Sequence, residues 1–159
     1  MSFAKDLNKF SLKAISASEK RTREICFRLG NEVIEGTPDD TGETRLNWQG
    51  SINQPASGVK NSLGSSQSNT IQAFTQIKEA AKLAPGNIFY LTNNTVQATV
   101  LEFGLYPNPP KKGTYLKAGE SKRGRTGPGH YKFSSGGYSN IAKRGMVRIA
   151  VKKLASDYQ

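Results

Sequence analysis

Apolar residues recur at helical spacing from the start of the chain. Phe3, Leu7 and Phe10 form one series, and Leu12 and Ile15 lead toward a second made of Ile25, Cys26, Leu29, Val33 and Ile34. Spacings of three and four place such positions on one helix face. Lys20, Arg21, Arg23, Glu24 and Arg28 fall mostly on the others. Ser16 followed by Glu19 has the form of a capping box. The pattern therefore predicts a helix from Ser11 or Ser16 onward, with residues 1–10 as a separate turn or N-terminal arm. Gly36 ends the helix, and Pro38 cannot continue it.

The period then changes. Leu46, Trp48 and Ile52 alternate with Asn47, Gln49 and Asn53, predicting a half-buried strand from about Arg45 to Asn53. Residues 54–69, rich in Ser, Asn and Gly, predict a flexible loop. A second helix is predicted over Thr70–Leu83 from Ile71, Phe74, Ile77 and Ala81, ended by Pro85 and Gly86. Asn87–Thr92 reads as a second strand, Asn93 and Asn94 as a turn, and Val96–Phe103 as a short helix stopped by Gly104. Periodicity is lost from Leu105 to Gly137, where seven Lys or Arg are mixed with four Pro and seven Gly. Met146–Leu154 fits two readings. Val147, Ile149 and Val151 alternate as in a strand; Met146, Ile149, Ala150 and Leu154 suit a helix.

These segments predict a single domain over 1–159: a helix-sheet frame at 11–104, a basic extended loop at 105–144, and a C-terminal element of the frame at 145–159. Its core candidates are Ile25, Leu29, Val33, Trp48, Phe74 and Leu101. Apolar residues make up only 35% of the chain, against 16 Gly and 7 Pro, so the core is modest and neighbouring subunits are expected to complete it. The net charge of +11 is uneven: residues 105–159 hold 12 basic and 2 acidic side chains. Such asymmetry points to a nucleic acid or an acidic protein surface. Cys26 is the single cysteine, which excludes an intrachain disulfide and reads as a small buried hydrophobe. No signal-peptide pattern or membrane span is seen, so the expectation is a soluble chain made in a reducing compartment.

The densest chemistry lies in Thr37–Trp48, Thr-Pro-Asp-Asp-Thr-Gly-Glu-Thr-Arg-Leu-Asn-Trp. An EF-type calcium loop needs alternating ligands closed by a distal glutamate, and that spacing is absent. A turn explains the residues better. Pro38 fixes φ, Asp39, Asp40 and Thr41 accept backbone N–H bonds, and Gly42 supplies a conformation that other residues resist. Arg45 follows the acidic patch of Asp39, Asp40 and Glu43 and is placed for a local bidentate ion pair. Trp48 is expected in the core facing the first helix, its indole N–H needing an acceptor. His130 is the only histidine and has no companion base or ligand nearby, so no catalytic residue, cofactor or metal is assigned. A metal-dependent nuclease built on Asp39, Asp40, Glu43 and His130 is a minor alternative. Lys111, Lys112, Lys117, Lys122, Arg123, Arg125 and Lys132, interspersed with Tyr, are the candidates for contact with DNA or a partner. Any DNA contact is expected to be non-specific, since no reading motif is present.

Three blocks occur in order. They are Val33–Gly42 continuing to Arg45-Leu46-Asn47-Trp48; Ile88–Asn94 followed by Leu101-Glu102-Phe103-Gly104; and Gly145-Met146-Val147-Arg148. Together they resemble the tail-completion, or head–tail joining, proteins of long-tailed bacteriophages. That family has a helix running into a TPVDTG turn, an R-x-NW strand, a Y-x-x-N strand, an LE-(Y/F)-G motif and a closing GMVR. Two departures stand out. Asp39 replaces the usual apolar residue, and Leu105–Arg144 enlarges the link between the last two motifs. The resemblance implies an α+β fold, a long N-terminal helix packed on a small mainly antiparallel sheet, to which periodicity adds a second helix and a long basic loop. It implies a non-enzymatic virion protein at the neck, assembled in the host cytoplasm. The expected partners are copies of itself in a ring, a hexamer by resemblance, with the adjacent neck or connector, tail terminator and tail tube proteins. Genomic DNA in the lumen is a further candidate partner; a membrane is not. The alternative is a non-specific nucleic-acid-binding protein acting through the basic C-terminal third.

Overall fold

An α+β arrangement organises the computed structural model, which describes residues 3–39, 42–62, 64–82, 84–105, 137–139, 142 and 144–158, with the backbone of 115–116 and 130–131. Helix α1, Phe3–Gly36, is one continuous element of 34 residues, about 50 Å long at 1.5 Å per residue. The series Phe3, Leu7 and Phe10 forms its first turns rather than a separate arm. Neither Gly nor Pro interrupts the chain before Gly30, so the helix passes through Ser16 without using it as a cap. Only its C-terminal half enters the core: Gly30, Val33 and Ile34 are buried, while residues 3–18 are all exposed.

Helix α2, the single turn Glu43–Leu46, occupies the first part of the predicted strand, and β1 is confined to Gln49–Ile52. Gly42 has φ of 74°, a left-handed conformation that turns the chain into α2. The Leu46 amide then donates to the Gly42 carbonyl at 2.9 Å. The alternation of Leu46 and Trp48 with Ile52 does not mark one strand face: Leu46 is buried inside the helical turn, whereas Ile52 is exposed.

Helix α3, Ser66–Ala80, begins four residues earlier than expected. The Ser65 hydroxyl accepts from the Ser68 amide at 3.1 Å, satisfying one of the donors that a helix start leaves free. Its inward face is Asn69, Ala73, Ile77 and Ala80. Ile71, assigned inward by periodicity, is instead exposed, and Phe74 is partly buried. α3 packs against α1, α2 and β1, so it is the element that meets both the long helix and the sheet. Strand β2, Phe89–Thr92, pairs antiparallel with β1, Gln49 opposite Thr92 and Ile52 opposite Phe89.

Thr95 caps α4, Val96–Phe103, by accepting from the Ala98 amide at 3.3 Å; Gly104 ends it, as expected. Within the stretch that lacked periodicity, β3 at Tyr115–Leu116 and β4 at His130–Tyr131 form a two-residue antiparallel ladder. The ambiguous C-terminal segment is helix α5, Val147–Asp157, packed on α1. Ala150 and Leu154, four apart, are its buried residues, and Ile149 and Val151 are exposed. The core joins Val33 and Ile34 of α1, Trp48, Ala73 and Ile77 of α3, Leu101 of α4, and Ala142, Met146 and Ala150. Leu29 and Phe74 pack against its rim. Ile25, predicted in the core, is only half-buried, because α1 leaves the core above this level. Cys26 is likewise half-buried, and desolvation pushes its thiol pKa up, away from the reactive thiolate.

Candidate functional site

The first sequence block closes on itself through Thr37. This threonine is buried at the end of α1, and its hydroxyl donates to the Val33 carbonyl at 2.7 Å. The same oxygen accepts the Trp48 indole N–H at 2.8 Å. Trp48 thus has its acceptor just past the end of the first helix, and the strand start is tied to the helix end. Arg45 strengthens the tie. Its Nε donates to the Thr37 carbonyl at 2.9 Å, and Nη1 meets Asp39 Oδ2 at 3.2 Å. The Ser66 hydroxyl, at the start of α3, donates to Asp39 Oδ1. Asp39 therefore bridges Arg45 and α3. A side chain at Gly42 would lie 2.7 Å from Ser66 Cα, besides straining its left-handed backbone. Pro38 lies alongside, half-buried; Asp40 and Thr41 lie outside the described residues.

Asparagines extend this node, and sequence reasoning missed them. Buried Asn47 donates to the carbonyls of Glu43 and Lys60 and accepts from the Lys60 amide at 2.6 Å, holding the 54–60 segment against α2. Asn93 reaches the Thr44 carbonyl at 2.8 Å. Asn94 donates to the carbonyls of Ala56 and Gly58, each at 3.0 Å. The Asn93-Asn94 pair, a turn by sequence, is a bracket between β2 and two distant segments.

The second and third blocks meet as one clasp. α5 receives no capping bond from its own N-terminal side chain. Glu102, buried on α4, supplies the acceptor instead. Its carboxylate takes the amides of Met146 at 2.6 Å, Val147 at 2.9 Å and Arg148 at 3.1 Å, and the Arg148 Nε at 3.0 Å. A carboxylate at a helix N-terminus satisfies orphan amides and complements the positive end of the dipole. Burial pushes the Glu102 pKa up, but these three amides and the guanidinium outweigh it, and the net shift is downward. Arg148 also donates to the Glu102 carbonyl and to the Tyr138 hydroxyl, and lies 5.5 Å over the Phe103 ring. Gly145 has φ of 86°, and a Cβ there would sit 2.8 Å from Glu102 Oε2. The Glu-x-Gly and Gly-Met-Val-Arg motifs are thus the two halves of a single contact.

In these nodes Asp39 is engaged by Arg45 and the Ser66 hydroxyl, and Glu102 by three amides and Arg148; among the described residues no cluster of three His, Cys, Asp or Glu is placed to hold a metal ion. A groove between α1 and α5 is lined by Glu32, Glu35, Arg144, Met146 and Ile149, without a His or Cys. His130 belongs to β4 by its backbone. Lys111, Lys112, Lys117, Lys122, Arg123, Arg125 and Lys132 lie outside the described residues. No helix is long and apolar enough to cross a membrane among the described residues. The motif blocks are therefore the ground on which the family resemblance rests, since no family model matches the chain and neither a curated protein nor a solved structure does.

Proposed function

We propose that this chain is a structural subunit of a bacteriophage neck, a tail-completion protein that forms a ring at the top of the tail tube and joins tail to head around the DNA channel. The observation behind this reading is how the motif residues are used. Trp48, Arg45, Glu102 and Arg148 hold helix ends and strands together. Motif residues engaged in this way specify a rigid frame, which leaves function to the surfaces and to the basic segment. Copies arranged in a ring make heterologous contacts that close by rotation. Its lysines and arginines would then face DNA in the lumen or acidic patches on an adjoining ring.

Antibodies raised against the purified chain should label particles at the head–tail junction in electron micrographs. Absence of the chain from purified particles would overturn the reading. Removing residues 105–137 should leave the subunit folded while abolishing joining of heads to tails.

A second reading, a free non-specific nucleic-acid-binding protein, draws on the concentration of charge in residues 105–159. It requires tight binding of duplex DNA by the isolated chain, falling steeply with salt. The neck reading needs only weak binding, because a ring raises local concentration. Titrations at two salt concentrations separate them.

A further inference from the structure

Strand β1 pairs with β2 along one edge, and the sheet holds these two strands. The register identifies the backbone groups left over. The Asn53 amide donates to the Ile88 carbonyl at 2.8 Å, continuing the ladder in which Gln49 faces Thr92 and Ser51 faces Tyr90. Bonded positions alternate along an antiparallel pair, so Gly50 and Ile52 turn their N–H and C=O groups to the other edge. Among the described residues no third strand takes them.

That edge opens on a groove of about 560 Å³, lined on the α3 side by Thr75, Gln76 and Glu79. Lys60 closes one end. Its backbone is bonded to Asn47, just before β1, and Ser62 accepts from Asn69 of α3, so the chain crosses here from sheet to helix. The Lys60 ammonium donates to Gln76 Oε1, and among the described residues no carboxylate pairs with it. Glu79 is held by Lys82 at 2.7 Å. Half-buried, Lys60 is desolvated and its pKa is pushed down; a carboxylate beside it would oppose that shift.

We infer that this groove takes an extended peptide segment of a partner protein as a third strand, antiparallel to β1, with a carboxylate at the segment's C-terminal end on Lys60. An antiparallel strand ends where β1 begins, and Lys60 lies there. Gly50 and Ile52 each supply one donor and one acceptor. Asn53, at φ of 63°, turns the chain out of the strand, which limits the match to about four residues, roughly 13 Å. Main-chain bonds supply the affinity of such an added strand, and the charge at its end fixes its direction. The inference does not rest on the neck reading, because a ring subunit and a free protein would offer the same edge.

Amide NMR spectra of the full chain test this, with the peptide acetyl-Thr-Val-Thr-Val-Glu, bearing a free C-terminal carboxylate, as the probe. Saturable binding should move the Gly50 and Ile52 amide protons downfield as they acquire acceptors. The Ser51 amide, already bonded across to β2, should stay close to its place. The same peptide ending in Gln and a C-terminal amide should bind about tenfold more weakly, as should the acidic peptide to Lys60→Met. Unmoved Gly50 and Ile52 amides, or equal binding of the charged and neutral peptides, overturn the inference; so does equal binding by wild type and a folded Lys60→Met. The peptide comparison uses the wild type alone and holds whether or not the variant folds. None of these outcomes bears on whether the chain is part of a particle.

Discussion

Glu102 shows how much one side chain can settle. It is 8% exposed and supplies the acceptor for three amides of α5. Glu102→Gln should cost about 2–4 kcal/mol in urea unfolding, because an amide is a poorer partner for a helix N-terminus and a guanidinium. The sign of the pH effect follows from the lowered pKa. The stabilisation is complete above the ordinary glutamate value of about 4.3 and is lost as pH falls through the lower folded value. The difference in stability between wild type and Glu102→Gln should therefore shrink on acidification below about pH 4, and a constant difference would refute the assignment. Thr37 offers a second test. Thr37→Val keeps the shape but leaves the Trp48 indole N–H without its acceptor, and should cost about 1–3 kcal/mol. The fluorescence of the sole Trp should shift, and Trp48→Phe should make the threonine substitution less costly.

Among elements, α3 sets the spacing. Gly30 of α1 crosses it so closely that a Cβ would overlap Ile77 Cγ2, and a Cβ at Gly50 of β1 would lie 2.9 Å from the Ala80 Cβ. Small residues on both sides of α3 thus admit the long helix and the sheet to one narrow core, which explains why Ala73 and Ala80, rather than Ile71, face inward. Gly30→Ala should destabilise the fold by about 1–3 kcal/mol through overpacking. Combined with Ile77→Ala, it should cost less than the sum of the two changes, since the added methyl enters the space vacated. Simple additivity in thermal or urea unfolding would show that the two residues do not share this contact. α5 is held to α1 from the other side by Arg28 to Asp157 at 2.6 Å and Lys153 to Glu32 at 2.6 Å. The Tyr158 ring, beneath Arg21 and Arg28, adds to the same contact. These pairs are partly exposed, so packing of Ala150 and Leu154 contributes more.

At the level of the whole molecule, α1 divides the chain into a frame and a projection. Among the described residues, none before Glu19 contributes a buried side chain. Deleting residues 1–12 should leave the unfolding free energy in urea within about 0.5 kcal/mol of the full chain, as for exposed positions generally. Amide hydrogen exchange should be fast through residues 3–14 and slow at Gly30–Ile34, because local opening of the projection exposes no core. Equal protection along α1 in the isolated chain would mean that the projection is already covered.

Much of the frame was legible because it depends on local rules. The stop at Gly36 and Pro38, the extent of α4, and the neighbourhoods of β1 and β2 follow from periodicity and from residues with restricted backbones. That Arg45 would pair within the acidic patch of Asp39, Asp40 and Glu43 was legible from charge alone; that it meets Asp39 through a single nitrogen, with Nε turned to the Thr37 carbonyl instead of a bidentate pair, was not. Segments whose two signals conflicted were settled only by packing. Residues 147–157 became helix because Ala150 and Leu154 bury on one face and Glu102, over forty positions away, caps their start. The α2 turn replaced only the first residues of the predicted strand, because Gly42 redirects the chain against α3. What amino-acid order determined by itself was therefore the local vocabulary of helix, turn and strand. Tertiary structure alone decided that distant blocks form single contacts and that α1 projects uncovered, because burial and carboxylate–amide bonding act between residues that no short-range pattern brings together.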